Sequence, residues 1–120
     1  MKYIIPVVPI GAPRMTKRDR WVIRPATTRY WAYRAVIQAH MNKNGWTVGT
    51  KLTITFYIPM AKTWSQKKKD IMNKMFHDQV PDTDNLIKAF LDSTLSQDKK
   101  VAEIHAYKFW SVTPGIEIEL

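Results

Sequence analysis

Eight consecutive residues, Pro81-Asp82-Thr83-Asp84-Asn85-Leu86-Ile87-Lys88, carry the densest chemistry in this chain. Two carboxylates one residue apart, with an amide next, are a cluster of hard oxygen ligands suited to Mg²⁺ or Mn²⁺. The plainer use of the same residues is a helix start, where aspartate caps free backbone N–H groups and complements the dipole. Asp82 is expected outside the helix, however, so one carboxylate exceeds what capping requires. Lys88 follows Asp84 by four residues and shares its helical face one turn on. It is either an ion-pair partner of Asp84 or a cation for a phosphate. Asp92, four residues further, reads as the ion-pair partner of Lys88. Asp98 lies between that helix and a strand from Val101; spacing alone makes it a turn residue, and a ligand only if the fold carries it back to Asp82.

The elements that must position these groups can be read from the pattern of apolar residues. Tyr3 to Ile10 is β-prone but holds Pro6 and Pro9, which predicts an edge strand. Gly11 to Arg24 reads as a polar, basic loop with a short extended piece at Trp21 to Ile23. A helix capped by Thr27 or Thr28 should run to about Asn42 and stop at Gly45. Lys51 to Ile58 alternates cleanly, with Leu52, Ile54, Phe56 and Ile58 on one face. Ser65 should cap a basic helix from Gln66 to about Phe76, with Ile71, Met72, Met75 and Phe76 as its apolar stripe. The Asp84 helix should reach Leu95, and two strands, 101–110 and 115–120, should follow, joined across the turn sequence Thr113-Pro114-Gly115. This is one α+β domain over residues 1–120, with a small mixed sheet and two to three helices.

Charge points to the partner. The net charge is +9 with a pI near 9.9, and clustered Lys and Arg displace counterions from phosphates. Residues 1–69 hold fourteen Lys and Arg against one acid, Asp19, whereas residues 70–120 hold five basic residues and nine acids. A basic part that binds phosphate and an acidic part that collects cations fit this segregation. Arg14, Lys17, Arg18, Arg20 and Arg24 surround Trp21 and are assigned to DNA; Lys67, Lys68 and Lys69 join them, although such a run is often the wet face of a helix. Tyr30, Trp31 and Tyr33 follow, and exposed aromatics can stack on unpaired bases; Trp31 is expected in the core. The absence of cysteine removes disulfides and thiol chemistry. No apolar run is long enough to cross a bilayer, no signal-peptide pattern stands at the N-terminus, and an intracellular protein is expected.

The stretch Pro81 to Asp92, followed by Asp98 and Val101, resembles the central motif of the RusA family of crossover (Holliday) junction endodeoxyribonucleases. Their pattern is approximately D-x-D-N-x-x-K-x-x-x-D and then an acid before a strand. Ile58-Pro59, the Trp64-Ser65 start of a Lys-rich helix and Lys108 are similar to phage-borne members. The resemblance covers residues 51–120 well and the first half in character only. It implies a RusA-like fold, Mg²⁺-dependent hydrolysis at four-way DNA junctions in recombination and repair, a homodimer, and a cytoplasmic setting of phage or prophage origin. It also implies that Asp82, Asp84 and Asp98 bind the metal and that Lys88 serves the chemistry. Two positions depart from the pattern: Gln97 stands where many members have a further acid, and Val80 where phage relatives often carry a basic residue.

Pro81-Asp82 could open a different nuclease motif, but Glu103-Ile104-His105 lacks its lysine. His40, His77 and His105 form no close pair and read as surface or strand residues. Neither a nucleophilic serine motif nor a glycine-rich phosphate loop is present. The competing classes are a non-catalytic nucleic-acid-binding protein with this fold and a small interaction protein.

Overall fold

The computed structural model describes residues 1–13, 25–94 and 100–120. Among them are four strands, β1 (Lys2–Ile5), β2 (Lys51–Pro59), β3 (Glu103–Ser111) and β4 (Gly115–Glu119), and three helices, α1 (Pro25–Asn44), α2 (Gln66–Met72) and α3 (Thr83–Ser93). The sheet order is β1-β4-β2-β3; β2 pairs parallel with β3 and antiparallel with β4. The expected α+β domain with a mixed sheet is what forms. β3 and β4 do not pair with each other: residues 112–114 cross the end of β2, so both strands flank it.

Alternation explains the core. The even-numbered residues of β2 (Leu52, Ile54, Phe56 and Ile58) are buried, as are Ile116 and Ile118 of β4. Helices α1 and α3 cover that face. α1 contributes Tyr30, Tyr33 and Ile37, and α3 contributes Leu86, Ala89 and Phe90, spacings that keep each set on one helical stripe. Trp46 stacks nearly parallel on Phe90, with centroids 6.2 Å apart. Burying such side chains contributes about 1.5–3 kcal/mol each. One sheet and one helical layer account for a thinnest dimension of 25 Å.

Several boundaries differ from expectation, each for a local reason. β1 ends at Ile5 because Pro6 cannot donate to the ladder. α1 begins at Pro25, where the fixed φ suits a first turn and the missing N–H is not needed. It ends as expected at Gly45, whose φ of 67° is left-handed and whose N–H reaches the Met41 carbonyl. Ser65 caps α2, accepting from the Lys68 N–H, but that helix stops at Met72 rather than Phe76. Lys74 takes a φ of 70°, and residues 74–77 then lie along the outer edge of β3. Lys74 N donates to Trp110 O, Trp110 N to Met75 O, and His77 N to Lys108 O. The expected apolar stripe is therefore absent, and Ile71, Met75 and Phe76 are exposed. Among the described residues no helix is long and apolar enough to cross a membrane.

Candidate active site at the start of the third helix

Asp82 occupies the N-cap position of α3 with extended backbone, and its carbonyl accepts from the Leu86 N–H. Its carboxylate makes no capping hydrogen bond. Asp84, in the first turn, is exposed like Asp82. Among the described residues neither carboxylate is ion-paired, and the pairing is no closer for Lys88, whose ammonium bonds neither Asp84 nor Asp92. The Asp82 side chain thus leaves the capping bond available to it unmade. Both stand at the positive end of a helix dipole, which stabilises anionic side chains by about 0.3–1 kcal/mol.

The approach to Asp82 is held from two sides. Lys108, on the helix-facing side of β3, sends its ammonium to the carbonyls of Gln79 (2.7 Å) and Pro81 (2.8 Å). Hydrogen bonds from a charged donor contribute roughly 1.5–3 kcal/mol, so the segment entering α3 is tied to the sheet immediately before Asp82. His77, expected as surface or strand filler, is buried instead against the Trp110 ring, with centroids 4.2 Å apart. Burial first, and the Lys108 charge second, hold its pKa below the ordinary value, with Asp78 opposing. Its Nδ1 accepts from the Gln79 N–H.

Asn85 is the third brace. Its amide donates to the carbonyl of Ala12, 73 residues away, and a Cβ on Gly11 would run into that same amide. Glycine at position 11 is what lets the N-terminal segment close on the α3 helix. Asn85, read from sequence as one of three oxygen-bearing groups, thereby serves as an anchor for the chain that leads into the basic stretch.

Asp92 also differs from expectation. Tyr30 donates its hydroxyl to the Asp92 carboxylate (3.3 Å), and Arg34 donates to the Asp92 backbone oxygen (3.1 Å). Burial and the nearby Asp92 charge push the Tyr30 phenol up, keeping it a donor. Trp31, expected in the core, is 52 % exposed. A groove of about 590 Å³ lies between α1, α3 and the chain at Ala12 and Pro13, with Tyr30, Trp31, Arg34, Asn85, Lys88 and Asp92 on its helical walls.

Of the site residues read from sequence, Asp82, Asp84 and Lys88 share the first half of α3. Asp98 lies outside the described residues, as do Arg14, Lys17, Arg18, Arg20 and Arg24. Lys67, Lys68 and Lys69 sit on α2, a separate element; Lys67 and Lys68 are exposed, and the Lys68 ammonium lies 4.1 Å from the Trp64 ring centroid. Glu103 and His105 share a strand face as expected, 3.6 Å apart. Among the described residues no three His, Asp or Glu side chains converge on one point. Two carboxylates nevertheless fit Mg²⁺, which is usually held through one or two, with waters and phosphate oxygens completing its shell. Sequence reasoning placed Trp31 in the core, missed the anchoring role of Asn85, and saw in Lys108 only a family likeness.

Compared with known families, residues 5–120 match the model for endodeoxyribonuclease RusA. No protein in the curated set matches the chain.

Proposed function

Because the chain belongs to the endodeoxyribonuclease RusA family, we propose that it hydrolyses phosphodiester bonds at four-way DNA junctions during recombination and repair. In this reading it acts as a Mg²⁺-dependent homodimer, Mn²⁺ being a substitute, in the cytoplasm of a bacterial host and of phage or prophage origin. The observation that carries the site assignment is the pair of exposed carboxylates, Asp82 and Asp84: the Asp82 side chain makes no capping hydrogen bond, and neither carboxylate is ion-paired among the described residues. Together with Asp98 they would hold the metal. Bound there, Mg²⁺ would neutralise charge on the scissile phosphate and acidify the attacking water. Lys88, one turn beyond Asp84, faces the same phosphate and stabilises its developing negative charge. Lys108 and Asn85 fix the two chain segments beside Asp82, so that the carboxylates are set before DNA arrives. The basic residues Arg14, Lys17, Arg18, Arg20, Arg24 and Lys67 to Lys69 would hold the phosphates of the arms.

The test compares a synthetic four-way junction with linear duplex, each with Mg²⁺ or with chelator, for the parent chain and Asp82→Asn. Asparagine keeps the shape but cannot supply an anionic ligand, and it caps a helix about as well as aspartate. Cleavage of the junction by the parent, lost by orders of magnitude in a folded Asp82→Asn that still binds, is the expected result. Normal cleavage by Asp82→Asn removes it from the site. Binding by the parent without cleavage under any metal identifies a non-catalytic DNA-binding protein.

A further inference from the structure

We propose that the groove between α1 and α3 is a subsite for one unstacked nucleobase beside the phosphate that is cut, with Trp31 as its stacking platform. The inference rests on the junction-cleaving function proposed above.

Four observations converge on it. First, α1 buries Tyr30, Tyr33 and Ile37 yet leaves the indole of Trp31 half exposed. Exposing so large an apolar surface forgoes stabilisation that burial would bring, and nothing in the core asks for an indole there. Second, the side chain is held ready. The Arg34 guanidinium lies 4.6 Å from the Trp31 ring centroid and is itself fixed by donating to the Asp92 carbonyl. An indole backed by a guanidinium is a preformed surface for a planar, electron-rich ring.

Third, the groove has the chemistry of a nucleotide. Arg34 and Lys88 supply positive charge for a phosphate, and the Asp92 carboxylate and the Asn85 side-chain oxygen, beside their bonds with Tyr30 and Ala12, supply acceptors for a base edge. Its volume of about 590 Å³ falls within the roughly 300–1,000 Å³ typical of sites that enclose small ligands. Fourth, its position is next to the chemistry. Lys88 and Asn85 line the groove and belong to the same helical turns as Asp84. A nucleotide whose base rests on Trp31 would therefore have its phosphate at Lys88, adjacent to the two candidate carboxylates.

A base inside a duplex has both faces occupied and offers only its edges. Trp31 can engage only a base that has left its stack, and a branch point is where that costs least. The groove thus favours branched or single-stranded DNA over linear duplex at the position where cutting takes place.

The experiment uses the full chain in chelator, with junctions carrying 5-iododeoxyuridine at single positions flanking the branch. Irradiation should cross-link the peptide containing Trp31 at one of those positions, and not on linear duplex of the same sequence. Trp31→Ala should weaken junction binding roughly 5- to 150-fold, the range for losing one base–aromatic stack, with duplex binding unchanged. Trp31→Phe should retain most of the affinity. Circular dichroism and thermal melting establish that both variants fold. If the parent cuts junctions but Trp31→Ala binds them equally well, or loses junction and duplex binding alike, the subsite is overturned while the function stands. If the parent neither binds nor cuts junctions, the function falls and the subsite with it.

Discussion

Lys108 ties down the chain leading into the proposed site without belonging to it. Its ammonium bonds two carbonyls in the segment that ends at Asp82, so replacing it frees that segment from the sheet. Lys108→Met keeps most of the apolar stem and removes both hydrogen bonds; a destabilisation of about 1–3 kcal/mol is expected. A purely structural lysine would lower the melting temperature and leave the folded enzyme normal. A positioning lysine would also raise the Mg²⁺ concentration needed for half-maximal junction cleavage, because Asp82 would no longer be set before the metal arrives. An unchanged Mg²⁺ titration in folded Lys108→Met would confine Lys108 to stability. That Asp82, Asp84 and Lys88 stand together at one helix start was legible in the sequence, because they lie within one helical turn or two of each other. Asn85 and Lys108 were not legible in their true roles, since their partners are 73 and 27 residues distant and only the fold brings them near. Trp31 was misplaced because it sits between Tyr30 and Tyr33. At roughly 100° per residue the buried stripe through Tyr30, Tyr33 and Ile37 leaves Trp31 and Arg34 together on the neighbouring one.

The segment after α2 behaves as an element in its own right, although no pattern announced it. Met75 and Phe76 continue the apolar spacing of α2 in sequence, and a helix period cannot reveal that the chain turns at Lys74 to pair with the edge of β3. By contrast β2 and α3 were readable, because strict alternation and an i, i+3, i+4 stripe each admit one arrangement against a core. This edge segment ends in His77, whose buried ring gives it a pH dependence. In the unfolded chain the ring titrates at its ordinary 6.5, and in the fold it titrates lower. Between those values the unfolded chain binds more protons, so stability from the neutral ring is complete above 6.5 and is lost as pH falls from there through the lowered value. The melting temperature should therefore fall as the pH is lowered from 6.5. His77→Gln, which keeps an acceptor for the Gln79 N–H, should melt lower at neutral pH but lose less on acidification. Parallel pH profiles for the two proteins would show that the acid sensitivity lies elsewhere.

At the scale of the whole molecule the question is how one small site can resolve a junction. A four-way junction has approximate two-fold symmetry, and resolving it requires two symmetric cuts. The chain has a single D-x-D-N motif in 14.0 kDa, and one copy offers one set of carboxylates to one strand. Two copies related by a two-fold axis would match the symmetry of the substrate and present a site to each of the opposed strands. The positive charge supports the same arrangement. A net +9 per chain is doubled on pairing, which lengthens the run of phosphates that can be neutralised and steepens the salt dependence of binding. Sedimentation at about micromolar concentration, where a specific dimer should persist, is expected to give twice the chain mass. Mixing the parent with an excess of Asp82→Asn then tests whether the two sites act separately. Mixed dimers should bind junctions normally and leave one strand nicked, so nicked product should accumulate at the expense of resolved arms. A chain that sediments only as monomer while yielding fully resolved arms would show that one copy makes both cuts in turn, and the two-fold arrangement would have to be abandoned.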